Sequence, residues 1–310
     1  MRLCVFLLAA CALAQNSSQL TSYTYDVNGN RVQSSQQSAS GAPGGYTQSN
    51  SVNGLNGAAS PRQAIEERVV SEGPGGRIVE RTIRRFDTFG NPAFTERQRI
   101  EDRVATDGSS VRAITIYDGD LNGQFQLRFR ETSQTRKESE QLTRVNTTVE
   151  RPDPNGRLDF FEKRQTVING DQAKDFKKDT TIYRKDTNGI LEAQEREVMQ
   201  VSTRDSQKTA NTATYRTIAT GKMELWEQKV ARTSVAADGS ETEVTDVYAA
   251  VAGGRADGKG PQLREQQITE KKRNNGGYTE SVSIRQTALD SSKLGPPQKI
   301  SETVCKGKCQ

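Results

Sequence analysis

The sequence predicts an all-β protein: an extended antiparallel array of β-hairpins in up-and-down order, open or curled on itself. Three observations predict it. An Asp-x-x-Gly motif returns at a fixed interval of 33 residues. A second turn signal falls about halfway through each interval. The residues between turns are rich in Thr, Ile, Val, Tyr and Phe, which favour strands over helices.

The motifs are Asp87-Thr88-Phe89-Gly90, Asp120-Leu121-Asn122-Gly123, Asp153-Pro154-Asn155-Gly156 and Asp186-Thr187-Asn188-Gly189. The register extends beyond them. Five residues before each Asp stands Thr82, Thr115, Thr148 or Thr181, followed by Ile83, Ile116, Val149 or Ile182. Ten residues after each Asp stands Arg97, Arg130, Lys163 or Arg196. A fifth copy, one residue shorter, runs through Thr220-Gly221-Lys222, and weaker copies fall near Gly260 and Gly295. A period of this length also suits helical repeats. The Asn-Gly and Asp-Gly steps and the β-branched flanks decide for hairpins. The halfway signals are Asp107-Gly108, Lys137-Glu138, Asn169-Gly170, Asp205-Ser206 and Asp238-Gly239. Alternation is clean over Phe125, Leu127 and Phe129 and blurs over Leu191–Val201, which also reads as helical.

Composition limits the core. Hydrophobic residues are 32%, charged residues 27% and the mean hydropathy is −0.80, too polar for a multi-span helical membrane protein or a thick apolar interior. Many strands carry charge on both faces, whereas a sandwich or transmembrane barrel needs a cleaner apolar face. The expectation is a thin sheet whose long edges are guarded by Lys, Arg and Glu.

Four segments follow along the chain. Residues 1–14 read as a signal peptide: Arg2, an apolar stretch Leu3–Cys11, and Ala12-Leu13-Ala14 before Gln15. Leu8-Ala9-Ala10-Cys11 also resembles a lipobox, which would make Cys11 a lipidated first residue. The chain is therefore expected to be exported, to the periplasm or beyond, or held on a membrane through Cys11. No other segment looks transmembrane. Residues 15–62 are expected to be a disordered polar linker. Asp26 and Arg31 are the only charges from Gln15 to Ala59, and so few apolar groups cannot offset ordering entropy. A local hairpin over Tyr23–Arg31 is the one exception. Residues 63–304 form the repeat domain, and 305–310 a tail holding Cys305 and Cys309. A disulfide between these two fits an oxidising compartment; free thiols and a metal site are the other readings.

Tyr25-Asp26-Val27-Asn28-Gly29-Asn30-Arg31 resembles the YD element of RHS/YD-repeat bacterial surface proteins, often YDxxGNR. Phe86-Asp87-Thr88-Phe89-Gly90-Asn91 matches it in part. The resemblance implies hairpin repeats in an exported bacterial protein and implies no activity.

Chemistry leaves few marks. There is no His, which removes His-based triads and His metal sites. Asp120/Asn122 and its equivalents open like a calcium loop. The next ligand position, however, holds Arg157 or Ile190 in the later copies, so turn formation is the better reading. No nucleotide or nucleophile fingerprint is present, and no cofactor is expected. The 44 Lys+Arg and 39 Asp+Glu are interleaved along the chain, which reads as a solvated mixed-charge sheet without specific nucleic-acid binding. Trp226 reads as a local packing anchor. The leading functional expectation is a non-enzymatic structural or adhesive spacer at the cell envelope, in contact with envelope or surface components. A carrier or peptide-binding module is the alternative, signalled by a continuous apolar groove, and a His-free enzyme is a remote third.

Overall fold

The computed structural model describes residues 16–42, 45–53, 59–120, 123–186, 188–249, 261–274, 276–287 and 293–307. The leader, with Cys11, lies outside the described residues, as do Cys309 and the weak copy near Gly260. Every described element is a strand. In order they are β1 (Asn16–Tyr25), β2 (Arg31–Ala42), β3 (Gly45–Asn53), β4 (Ala59–Gly73), β5 (Gly76–Phe86) and β6 (Pro92–Val104). Next come β7 (Ser110–Gly119), β8 (Phe125–Lys137), β9 (Leu142–Pro152), β10 (Leu158–Gly170), β11 (Phe176–Lys185) and β12 (Leu191–Arg204). The last six are β13 (Gln207–Thr217), β14 (Met223–Val235), β15 (Glu241–Ala249), β16 (Gln262–Asn274), β17 (Gly277–Gln286) and β18 (Gln298–Gly307). Each strand pairs antiparallel with the next, and β18 pairs with β1, so the meander closes into an 18-stranded barrel. The expected open edges do not exist: the seam from Ser18↔Gly307 to Thr24↔Ser301 removes them.

The turns explain the period. At Asp87 the backbone N–H donates to the Asn91 carbonyl at 2.9 Å, and the Gly90 N–H donates to the Asp87 carbonyl at 3.2 Å. This is a three-residue hairpin loop, a type I turn followed by a left-handed glycine. Asp87 Oδ1 accepts from the Phe89 and Asn91 N–H groups at 2.8 and 2.9 Å, tying the loop to its own first residue. Loops of the same backbone bonding open at Asp26, Asp120, Asp153, Asp186 and Ile218. Their glycines sit at φ between 76° and 84°, where a side chain is disfavoured.

In the stretch expected to be a linker, 15–62, the structure instead has β1, β2, β3 and the start of β4. Burial alone would not order these strands. Barrel closure supplies each with two backbone ladders, and hydroxyl pairs join neighbours: Ser22–Thr303 at 2.9 Å, Ser38–Ser49 at 2.7 Å and Ser40–Thr47 at 3.1 Å.

A second regularity was not expected. Each of the nine even-numbered strands carries one extra residue near its start, opposite the end of the preceding odd strand. In β8, β10, β12 and β14 these bulged residues are Arg128, Phe161, Gln194 and Trp226. Bulges bend and twist a sheet, and a ring of them at one rim is what coils this sheet to closure. Directly opposed residues, followed once around the ring, drift by about 20 residues along the strand. With the usual strand spacings that stagger corresponds to a tilt of ~40° and, for a circular section, a radius of ~17 Å. Trp226, expected as a packing anchor, is 47% exposed at its bulge, with the Arg216 guanidinium 4.8 Å from its ring.

The direct pairings also divide the side chains into two continuous faces. One holds Ile83, Ile116, Val149 and Ile182; the other holds Thr82, Thr115, Thr148 and Thr181. Burial follows the face rather than polarity. In β3, Tyr46, Gln48 and Asn50 of the Ile face are half-buried while Thr47 and Ser49 are exposed. Seven of the nine buried apolar residues also lie on the Ile face, Val79, Ile100 and Val201 among them. The Ile face is therefore the inner one, where side chains converge.

The inner wall is not uniformly apolar. A row of opposed residues, Val69, Val79, Ile100 and Ile114, crosses four strands and then meets Glu131. Nearby, Glu162 is buried and receives Arg164 Nε at 2.6 Å and Arg184 Nη2 at 2.7 Å. Burial alone would raise the Glu162 pKa; the two guanidiniums outweigh it and hold it below the ordinary 4.5. The turn carboxylates of Asp26 and Asp87 are held below 3.8, chiefly by backbone N–H donors. A carboxylate lowered by folding contributes stability that is fully present above its unfolded pKa and is lost as pH falls through its folded one. The melting temperature should therefore hold from neutral pH to about 5 and fall below about 4. Glu162→Gln should lower it at pH 7 and flatten the acid limb. An acid limb as steep in the variant as in the parent would rule out this contribution.

Candidate binding face

The Thr and cation positions of the repeat meet on the outer, Thr face. Thr82 stands directly opposite Arg97, Thr115 opposite Arg130, Thr148 opposite Lys163 and Thr181 opposite Arg196. On its other side each cation faces the following odd strand: Arg97 faces Tyr117, Lys163 faces Tyr183 and Arg196 faces Tyr215, while Arg130 faces Glu150. In the shorter fifth copy the same positions hold Ala213, Gln228 and Tyr248. The 33-residue register thus writes a Thr–cation row over four successive units of the outer face, completed by a Tyr in three of them and by Glu150 in the second. The tyrosines are half-buried.

Charge is sorted between the faces in a way a linear reading misses. On the Thr face, Lys and Arg at paired positions are more than twice as many as Asp and Glu; on the Ile face, carboxylates are in slight excess. Several outer cations are paired. Arg68 donates to Glu80 at 2.7 Å, and Arg196 bridges Asp179 at 2.9 and 2.5 Å. The Arg196 hydrogen bonds hold the Asp179 pKa below 3.8, against a smaller opposing effect of burial. Arg97, Arg130 and Lys163 differ. Among the described residues none of them makes an ion pair. Arg97 lies over the Phe125 ring at 4.0 Å, and Arg130 Nε is buried without a hydrogen-bond partner.

Three shallow cavities open on this same face. The largest, ≈ 720 Å³, has a carpet of hydroxyls from Ser38, Ser40, Thr47 and Ser49 between Arg84 and Lys306. A second, ≈ 450 Å³, runs from Gln165 to Arg196 beside Asp179 and Lys177. The third, ≈ 210 Å³, lies against Tyr215 and Leu225.

No family model matches this chain, and no curated protein matches it.

The residues singled out from sequence fall into separate places. Asp87, Gly90, Asp120, Gly123, Asp153, Gly156, Asp186 and Gly189 line one rim as turns, and their Oδ1 atoms are occupied by backbone N–H groups. That occupation explains the Asp-Asn pattern without a cation, and no carboxylate cluster with metal-ligand spacing occurs among the described residues. Cys305 is buried in β18 and disulfide-bonded. The tyrosines of the row were missed as site residues, although their signal was present: Tyr117, Tyr183 and Tyr215 each stand three residues before a turn opens at Asp120, Asp186 or Ile218.

Proposed function

We propose that this protein is an exported, non-enzymatic β-barrel that serves as a structural or adhesive spacer at a bacterial cell envelope. The observation that carries the reading is where the repeated residues go. The Thr and cation positions form an outward row along which only shallow cavities open, one beside Thr181 and Arg196 and one beside Tyr215, while the Ile and Val positions of the repeat face inward. A catalytic or carrier protein concentrates its specified residues in a cavity; a spacer or adhesin repeats them along a surface. The outward face carries Arg97, Arg130 and Lys163 at mid-strand, which is costly against lipid. The inner apolar row from Val69 to Ile114 ends at Glu131, so it does not make the continuous groove that a carrier needs. Export rests on the leader, on the likeness of Tyr25–Arg31 to YD elements and on the disulfide at Cys305.

Intact mass and fractionation of protein purified from its own host test this reading. The expected product begins at Gln15, is soluble and exported, and carries a disulfide between Cys305 and Cys309. An acylated Cys11 at the N-terminus would move the protein to a membrane surface. A cytoplasmic product with its leader intact would overturn export. A lipid or peptide co-purifying in native mass spectrometry would overturn the spacer in favour of a carrier.

A further inference from the structure

We propose that the cation–tyrosine row of the Thr face binds an acidic polysaccharide that carries one acid group per disaccharide. This deepens the adhesive reading above and rests on it.

The first argument is charge. Arg97, Arg130 and Lys163 point away from the inner wall and have no carboxylate partner among the described residues, while their neighbour Arg99 is paired with Glu101 at 2.7 Å. Unpaired cations repeated along an outer surface are complementary to a polyanion. The second argument is the rings. Tyr117 and Tyr183 stand directly beside Arg97 and Lys163. A tyrosine offers an apolar ring to the C–H face of a sugar and a hydroxyl to its edge. Thr82, Thr115 and Thr148 on the other side add hydroxyl donors and acceptors.

Pitch is the third argument, and it selects the ligand. Successive cations lie two strands apart with a stagger of two residues, because Arg97 is level with Tyr117 while Arg130 is level with Thr115. With ~4.8 Å between strands and ~3.4 Å per residue, the backbone separation is ~12 Å. That is about the length of one disaccharide. A nucleic-acid strand carries a charge every ~3.4 Å of duplex axis, so most of its phosphates would meet no cation. A chain with an acid on alternate sugars can place one anion at each cation, with one neutral sugar over Tyr117 between Arg97 and Arg130, the next passing Thr148 and Glu150, and a third over Tyr183 beyond Lys163.

The test uses the full mature chain and a fluorescein-labelled octasaccharide of alternating glucuronate and N-acetylglucosamine, read by anisotropy. Binding should weaken as salt rises, because added salt screens exposed charge pairs. The triple variant Arg97→Gln, Arg130→Gln, Lys163→Gln should bind at least about tenfold more weakly, with unchanged circular dichroism and melting temperature. A matched variant of the inner wall, Arg112→Gln with Lys208→Gln and Lys229→Gln, should bind within about twofold of the parent. Undiminished binding by the outer triple variant would overturn the proposal. So would equal binding of a neutral N-acetylglucosamine octamer, or tighter binding of single-stranded DNA of equal charge. An exported, envelope-retained protein that ignores the octasaccharide would sink this inference alone. A non-exported protein that binds it would sink the adhesive reading alone.

Discussion

Deleting residues 16–53 should abolish the barrel, whereas deleting the smaller stretch 16–42 should leave one. The first deletion removes β1, β2 and β3, and β4 becomes the strand that must meet β18. Both are even-numbered strands of an antiparallel meander and run in the same direction. The seam could then form only as a parallel pair, in a register that nothing in either strand was selected to fit. The second deletion removes one hairpin, and β3 meets β18 antiparallel as β1 does now. The expected result is aggregation or loss of a cooperative melt for the three-strand deletion. The hairpin deletion should give a monodisperse barrel of sixteen strands with a lower melting temperature. Size-exclusion chromatography and thermal melts decide it. If the 16–53 deletion melted like the parent, the polar strands would be dispensable and closure would not hold the fold.

The turn glycines carry the next largest expected effect. Gly123 and Gly189 sit at φ of 78° and 80°, and a Cβ added at either would meet no atom within 4 Å. Any cost of Gly123→Val or Gly189→Val is therefore backbone strain and not a clash. It should be ~1–2 kcal/mol each, the penalty for a substituted residue in the left-handed region, and at the upper end for a β-branched one. Asn at either position should cost much less, because its side chain tolerates that conformation. Urea unfolding measures the difference. Equal stability of the Val and Asn variants would show that these loops do not hold their hairpins in register.

Much of the barrel could be read in the sequence, because the hairpins are local. Asp-x-x-Gly sets the turn, the β-branched flanks set the strand, and the repeat distance of 33 counts one hairpin. What could not be read is whatever depends on partners far along the chain. Strands β1 to β3 have too few apolar residues to announce themselves; they exist because β18 and β4 give them ladders on both sides. Closure likewise depends on a seam between residues far apart in the chain, such as Ser22 and Thr303, 281 residues apart. The blurred alternation over Leu191–Val201 has a physical source in the bulge at Gln194, which shifts the two-residue period by one and imitates a helical pattern. The row of cations was hidden for a related reason. Glu96 and Arg97 are neighbours in sequence and look like a neutral pair, yet in a strand they face opposite sides, one buried inside and one exposed outside.

The seam also gives the barrel a direction. Because β1 and β18 are antiparallel neighbours, the first residue of one and the last of the other lie side by side, near Ser18 and Gly307. The chain enters and leaves at one rim, while the loops at Asp87, Asp120, Asp153 and Asp186 crown the opposite rim. An anchor placed beside the start of β1 or the end of β18 would hold that rim, and the far crown, with Phe89 and Ile190 exposed at its tips, would then face away from it.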